Sequence, residues 1–455
     1  MIFLGGSQML RSEATLSSDS IDEAIAHSLA CLRGNFRTKP AATGESAEAA
    51  GWYHYLDDPN PGVTASAVGL YCFSLAGTEF ERTDQVVRYL ISQQATGRYG
   101  GGWAVRTTNR FPIVEATAWV LRCLSLPHCK ISGSSAALDA GVEWLETNQN
   151  TDFGWGSYKG EPSRTFTTAL SVLALRESGG SSEIISNAHK WLIESQNPNQ
   201  PAWGSLPGSE PTMLHTSFTL MALLAMPGAL TAAAVRQTTE WLVERLRPGE
   251  HVEKETAVEE YDVPYMRNDA KDTFQNALPH FAGPVTLAAL LRAGIDPLQA
   301  RIFNTLNEMI RTQETTDPRR SGSWELPRSP LRPSIWAVWP FVAALTSART
   351  TIFQSAGSTA TLLFSGCAII QSNSTTKHLT RRLLIKNAMT DWLRLRKVAV
   401  GLWSIAAIAV IIPLILWRMG QLTLTVFLIA LLLPVLLLVF QILWDRKNSS
   451  RNTMI

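Results

Sequence analysis

The stretch WLETNQNTDFGWGSYKGEPSRTFTTALSVLA, residues 144–174, decides the reading of this chain. It opens as the end of a helix, with Trp144 and Leu145 apolar among polar neighbours, and that helix stops at Gln149. A loop rich in Gly, Asn and Asp follows, with the triplet Gly154-Trp155-Gly156 inside it. From Thr167 onward the chain is apolar nearly all round, the pattern of a helix buried on every side.

The same order recurs along the chain. Trp52, Trp103, Trp155 and Trp203 stand about 50 residues apart, each after a Gly or a small residue, and Trp324 repeats the pattern later. Gln93, Gln149, Gln196 and Gln313 end the helices that precede four of these tryptophans. Apolar helices follow, beginning near Thr64, Ala116, Thr167, Thr216, Thr286 and Ile335. The helices before each Trp, such as Asp139–Asn148 and Asn187–Ser195, carry Glu and Lys on one side and read as an outer layer. The fifth pair has Thr238–Arg247 as its outer helix, lacks the Gln and Trp, and inserts a long polar segment, Glu250–Asn276.

Six outer–inner hairpins result, at roughly 21–76, 83–126, 135–177, 182–225, 231–293 and 296–347. A helix apolar on all sides needs neighbours on both flanks, and closing the ring supplies them. The expected fold is therefore all-α: an (α/α)6 toroid over residues 20–350, preceded by a lead-in at 1–19. An open solenoid is the alternative.

The Gln…Gly-x-Trp joint between an outer and an inner helix resembles the QW repeats of squalene–hopene and other terpenoid cyclases. The hairpins also resemble the β subunits of protein prenyltransferases. The resemblance covers residues 20–350 in five of the six repeats. It implies a structural role for Gln93, Gln149, Gln196, Gln313 and their tryptophans, tying outer helices together. It also implies an apolar interior that takes an isoprenoid-type ligand at the end where the inner helices begin.

The candidate acid there is Glu115, in Ile113-Val114-Glu115-Ala116-Thr117-Ala118. It matches the middle acid of the cyclases' Asp-x-Asp-Asp-Thr-Ala motif, with both flanking carboxylates absent. The resemblance thus implies a cyclase-like or prenyltransferase-like protein of atypical or lost activity. The plain alternative for Glu115 is a helix N-terminal acid held by the dipole. His215 matches the prenyltransferases' zinc histidine, yet the matching Asp-x-Cys position reads Thr165-Phe166-Thr167. A reactive zinc needs at least three protein ligands, so no metal and no cofactor is expected, and His215 reads as a hydrogen-bonded pocket residue. Asp57, Asp58, Arg164 and Arg332 precede inner helices, and the fifth-repeat insertion adds Tyr261, Asp262, Tyr265, Arg267, Asp269, Asp272 and His280. Of these, Asp57, Asp58, Arg164, His215, Tyr261, Asp262, Tyr265 and His280 are the expected ligand-binding set. Asp57-Asp58-Pro59-Asn60-Pro61 lacks a diphosphate-binding spacing and reads equally as a turn.

Beyond the repeats, Val398–Trp417 and Leu422–Trp444 are charge-free runs of the length that crosses a bilayer, joined by a short link. Arg381, Arg382, Lys386, Arg394, Arg396 and Lys397 precede the first, and Arg446, Lys447 and Arg451 follow the second. The expectation is a two-span anchor at 398–444 in the cell membrane, with the toroid, both termini and the 445–455 tail cytoplasmic. Residues 351–397 read as a linker ending in a basic amphipathic segment, Leu379–Lys397, lying on anionic lipid. The uncharged run Thr350–Thr376 is read as linker or packed segment, with a third span as the alternative. Membrane lipid is thus the first expected partner, and a homo-oligomer through the hairpin the second. On layout alone, a non-enzymatic sensor is the other function: a toroid controlling a membrane-perturbing hairpin, as in bacterial antiviral effectors.

Composition bounds the rest. With 40 Lys and Arg against 38 Asp and Glu, the net charge of +2 gives no footprint for nucleic acid. Cys31, Cys72, Cys123, Cys129 and Cys367 form no Cys-x-x-Cys pair and read as reduced core thiols. The N-terminus has neither the basic start nor the apolar run of a secretory signal.

Overall fold

The computed structural model describes residues 16–40, 48–105, 111–225, 232–250, 258–267, 270–279, 281–325 and 332–364. Twelve α-helices follow one another in pairs. These are α1 (Ser18–Gly34) with α2 (Val63–Leu75), α3 (Thr83–Ser92) with α4 (Val114–Leu124), and α5 (Ser134–Thr147) with α6 (Thr165–Ser178). Then come α7 (Ser182–Glu194) with α8 (Met213–Leu224), α9 (Ala232–Arg245) with α10 (Ala282–Arg292), and α11 (Ala300–Thr312) with α12 (Trp339–Phe364).

The even-numbered helices form the inner ring. All of α4 is buried, as are Val63–Phe73 of α2 and Thr165–Leu175 of α6. Odd-numbered helices bury one face only: α11 hides Ile302, Thr305, Leu306 and Met309, the i, i+3, i+4, i+7 stripe of an amphipathic helix. Around the ring α2 packs on α4, α4 on α6, α6 on α8, α8 on α10 and α10 on α12, and α12 returns to α2. The toroid is closed.

The tryptophans are the joints. Each indole Nε1 donates to a carbonyl in the last turn of the preceding outer helix. The pairs are Trp52 to Leu32, Trp103 to Leu90, Trp155 to Leu145, Trp203 to Leu192 and Trp324 to Met309, at 2.6–2.8 Å. A helix C-terminus leaves carbonyls without intrahelical partners, and the buried indole satisfies one of them. The backbone of the same residue grips the inner helix. The N–H groups of Trp52, Trp103, Trp155 and Trp203 donate to Ser66, Thr117, Thr168 and Thr216, each one turn into that helix. Gly69 in α2 is required by this packing, since a Cβ there would lie 2.4 Å from the Trp52 ring.

The glutamines tie neighbouring outer helices, as the resemblance implies, though two of the four ties fall to a different residue. Gln149 donates to Ile184 O of α7, and Gln313 donates to Ala24 O and Ser28 Oγ of α1. In the second repeat it is Gln94, not Gln93, that reaches Ala137 O of α5. In the fourth, Gln200 accepts from Trp241 Nε1 of α9, where Gln196 was expected to make the tie. A one-residue shift at a helix end moves the side chain by about 100° around the axis, which decides between Gln93 and Gln94, whereas Gln200 lies in the loop past the end of α7.

The seam between the sixth and first repeats is built like the internal ones. The first inner-helix N–H donates to a carbonyl two residues past the next tryptophan: Val114 to Ser157 and Thr165 to Ser205. Across the seam Ile335 N, opening the 3-10 turn before α12, donates to His54 O in the same way. Gly322 (φ 93°) lies so close to α1 that a Cβ would meet His27 O at 2.0 Å. Gln313→Leu removes the donor that Ala24 O, Ser28 Oγ and Gly322 O share at this buried seam. The expected cost is about 2 kcal/mol, read as an earlier thermal transition with faster amide exchange in α1 than in α5.

Three expectations change. The fold is helical, but not wholly so. Arg37–Lys39 (β1) and Ala49–Gly51 (β2) pair antiparallel, and the insertion folds as an antiparallel ribbon of Val258–Arg267 (β3) and Ala270–Pro279 (β4). The ribbon alternates: Tyr261, Val263 and Tyr265 fall opposite Asn276, Phe274 and Asp272, a period-2 pattern that overall polarity obscures. The Ser/Thr-rich run after residue 350 is helical through Phe364, as the continuation of α12. Among the described residues no helix is long and apolar enough to cross a membrane. The apolar pair 398–444 and the basic segment before it lie outside the described residues. Cys31, Cys72, Cys123 and Cys129 are buried free thiols, and burial pushes Cys31 up to about 12.

Candidate functional site

The inner helices all begin at one end of the ring, and their first turns form a mouth. Glu115 is the second residue of α4 and is 3% exposed, where the helix N-terminus favours a carboxylate. Trp119 lies four residues further, on the same face and one turn deeper. At that depth rings from three alternate inner helices meet across the bore. Trp119 of α4 is 5.0 Å from Trp339 of α12, and Phe218 of α8 is 6.2 Å from Trp339. Trp336 stands 6.3 Å from both tryptophans, and Phe166 of α6 packs edge-on against Phe218 at 4.8 Å. The bore is therefore not an open oily hollow. An aromatic floor crosses it one turn below the mouth.

Beneath the floor lies an ion pair. Arg122, 4% exposed at its side chain, holds Glu177 through two 2.9 Å bonds from Nε and Nη2. Its guanidinium lies 4.5 Å over the Tyr71 ring and 4.9 Å over Trp119, and also donates to the Tyr71 hydroxyl. Burial pushes the Tyr71 phenol up, against the pull of Arg122. Burial alone would lower Arg122, and Glu177 and Tyr71 together outweigh it, so the guanidinium stays charged. The α2, α4 and α6 helices are thus tied at their far ends by one buried cluster.

His215 is 2% exposed in the first turn of α8. Its Nδ1 lies 2.7 Å from the hydroxyl of Thr212, which also caps the helix by accepting from His215 N. Arg164 precedes α6 and pairs with Glu161 at 3.2 Å within its own loop. Asp57 is held by Arg332 at 2.6 Å across the seam, both side chains more than 40% exposed. Hydrogen bonding to Asp57 raises the Arg332 guanidinium. Asp58 accepts from Asn60 N, the turn that its sequence suggested. Asp57 also lines an outer groove of about 530 Å³ with His27, Arg37 and Arg319. Asp57 and Asp58 therefore belong to the surface of the seam, whereas Glu115 and His215 are buried at the mouth.

Tyr261, Asp262 and Tyr265 take consecutive and alternate positions on β3, opposite Asn276, Gln275 and Asp272. Because β4 ends at Pro279 and α10 begins at Ala282, the ribbon joins the ring at the mouth end. His280 and Asp269 lie outside the described residues. Among the described residues no group of three His, Cys, Asp or Glu side chains could hold a metal ion.

Sequence reasoning missed the floor and the ion pair. The floor had a signal in Trp119, placed at i+4 from Glu115. The pair had a better one, since a charge late in a helix buried on every side requires a partner.

No known family profile matches the chain. A drimenyl diphosphate synthase from Streptomyces showdoensis is 32% identical over 127 residues, 26% of this chain and 22% of that protein. The matched stretch thus spans about a fifth of the relative's length. Among solved structures, the apo type II terpene cyclase MstE from Scytonema is 15% identical with a TM-score of 0.49, covering 74% of this chain and all of that one. The GH76 α-mannanase of Bacteroides thetaiotaomicron gives 10% identity and a TM-score of 0.48, over 73% and 97%. The ent-copalyl diphosphate synthase of Streptomyces platensis gives 18% and 0.38, over 60% and 49%.

Proposed function

We propose that the mouth of this toroid binds an isoprenoid-type ligand on the aromatic floor, and that Glu115 is the one acid any chemistry there would use. The observation that carries the reading is the pairing of a buried carboxyl with a bed of indole and phenyl rings one turn below it. Such rings offer apolar area for a hydrocarbon chain and negative faces for positive charge. The sequence likeness to a drimenyl diphosphate synthase and the Gln–Trp joints support the same class. The missing flanking acids fit a weak or lost cyclisation, because in the resembled motif those carboxylates raise the acidity of the donor. The apolar segments at 398–444 would tie the toroid to a membrane in which such ligands dissolve, and self-association through them would follow.

Organic extraction of the detergent-purified full chain, followed by mass spectrometry, should release an isoprenoid. Offered farnesyl diphosphate, the chain should turn it over at a rate that Glu115→Gln lowers by about 100-fold or more, as removal of a general acid does. Extracted isoprenoid without turnover reduces the protein to a binder. The absence of both extracted isoprenoid and probe binding sinks the reading.

A further inference from the structure

Two indole N–H groups in the floor have no acceptor among the described residues. Trp119 Nε1 and Trp339 Nε1 are both fully shielded from solvent and unpartnered. Their rings lie 5.0 Å apart at 66°. Seven other indoles among the described residues reach acceptors. Trp52, Trp103, Trp155, Trp203 and Trp324 reach carbonyls, Trp191 reaches Asp152, and Trp241 reaches Gln200. Buried donors are nearly always paired, and leaving one unmade is costly. An indole nitrogen can only donate, so what these two lack is an acceptor atom. They belong to α4 and α12, two helices of the inner ring.

We infer that the ligand of the mouth carries an oxygen, and that Trp119 and Trp339 recognise this oxygen by donating to it at the floor. This inference rests on the isoprenoid reading above and narrows it to an oxygenated isoprenoid, an alcohol, ether or carbonyl compound rather than a bare hydrocarbon. The oxygen end enters first and meets the two indoles. The hydrocarbon remainder lies toward the mouth, against Phe166, Leu214 and Trp336. A protonated Glu115 could also donate to such an oxygen, so substitution of the indoles with Glu115 left in place separates the two donors.

Binding of three probes of equal chain length separates the outcomes: farnesol, farnesyl methyl ether and the hydrocarbon farnesene, measured by calorimetry on the detergent-solubilised full chain. Alcohol and ether should both bind about tenfold more tightly than the hydrocarbon, one hydrogen bond's worth or slightly more. In Trp119→Phe/Trp339→Phe the ratio of alcohol or ether affinity to farnesene affinity should fall from about ten to about one, a ratio that a general weakening of the floor would leave in place. A melting curve of the variant checks that it folds, and the single variants stand in if it does not. Equal binding of all three probes by the native chain overturns the inference and leaves the isoprenoid reading standing. So does a preference for alcohol alone, or one that survives in the variants. Binding of none of the three overturns both.

Discussion

Trp155→Ala is expected to destabilise the toroid by roughly 3–5 kcal/mol, the range for emptying a fully buried tryptophan site. Melting followed by circular dichroism should fall by about 5–10 °C. The residue is 0% exposed and makes hydrogen bonds in three directions. Its indole donates to Leu145 O at 2.8 Å, its N–H donates to Thr168 Oγ1 at 2.9 Å, and its carbonyl accepts from Arg164 N at 2.9 Å. Only the first is lost on truncation, because the other two belong to the backbone. The loss is therefore mostly volume and contact. Trp155→Phe isolates the remainder: it keeps most of the apolar area and leaves Leu145 O with only the 3.3 Å bond from Asn148 N, for about 1 kcal/mol. If the two substitutions cost the same, the joint is held by the hydrogen bond and not by packing, and the account of the repeat given above fails.

Glu177→Leu is expected to cost about 3 kcal/mol, because it strands the Arg122 charge in the barrel. The figure sits at the low end for such pairs because the Glu177 side chain is 33% exposed and water already reaches it. Combining it with Arg122→Met removes both charges, and the double variant should return to within about 1 kcal/mol of the native chain. Urea unfolding of the two single variants and the double closes the cycle. A double variant as unstable as Glu177→Leu would mean that the cluster stabilises through Tyr71 and the aromatic stacking rather than through charge compensation.

Much of the ring was legible before any coordinates. The tryptophan spacing, the all-round apolar runs and the one-sided outer helices each follow from local physics, and five of the six hairpins fall within a few residues of their expected bounds, while the sixth runs on to Phe364. What was not legible depends on more than one segment. Gln93 and Gln94 are adjacent and chemically identical, so which of them reaches Ala137 O is decided by the rotation of α3 against α5. Asp57 and Arg332 are far apart in sequence, and only closure of the ring makes them a pair. The aromatic floor required knowing that α4, α8 and α12 alternate around one axis. The ribbon at 258–279 was hidden because its apolar residues are diluted by about as many polar ones.

The hydrogen bond from Ile335 to His54 has a geometric consequence. Each hairpin turns the ring by about 60°, and six turns bring the last helix pair into register with the first. Linear arrays tolerate gain or loss of a unit, since only the ends notice. Here the arc is complete, so a seventh hairpin would have no room and a missing one would leave a gap no side chain could span. The number of repeats is fixed by circumference, and variation is confined to what hangs from the rim, as the fifth-repeat ribbon does.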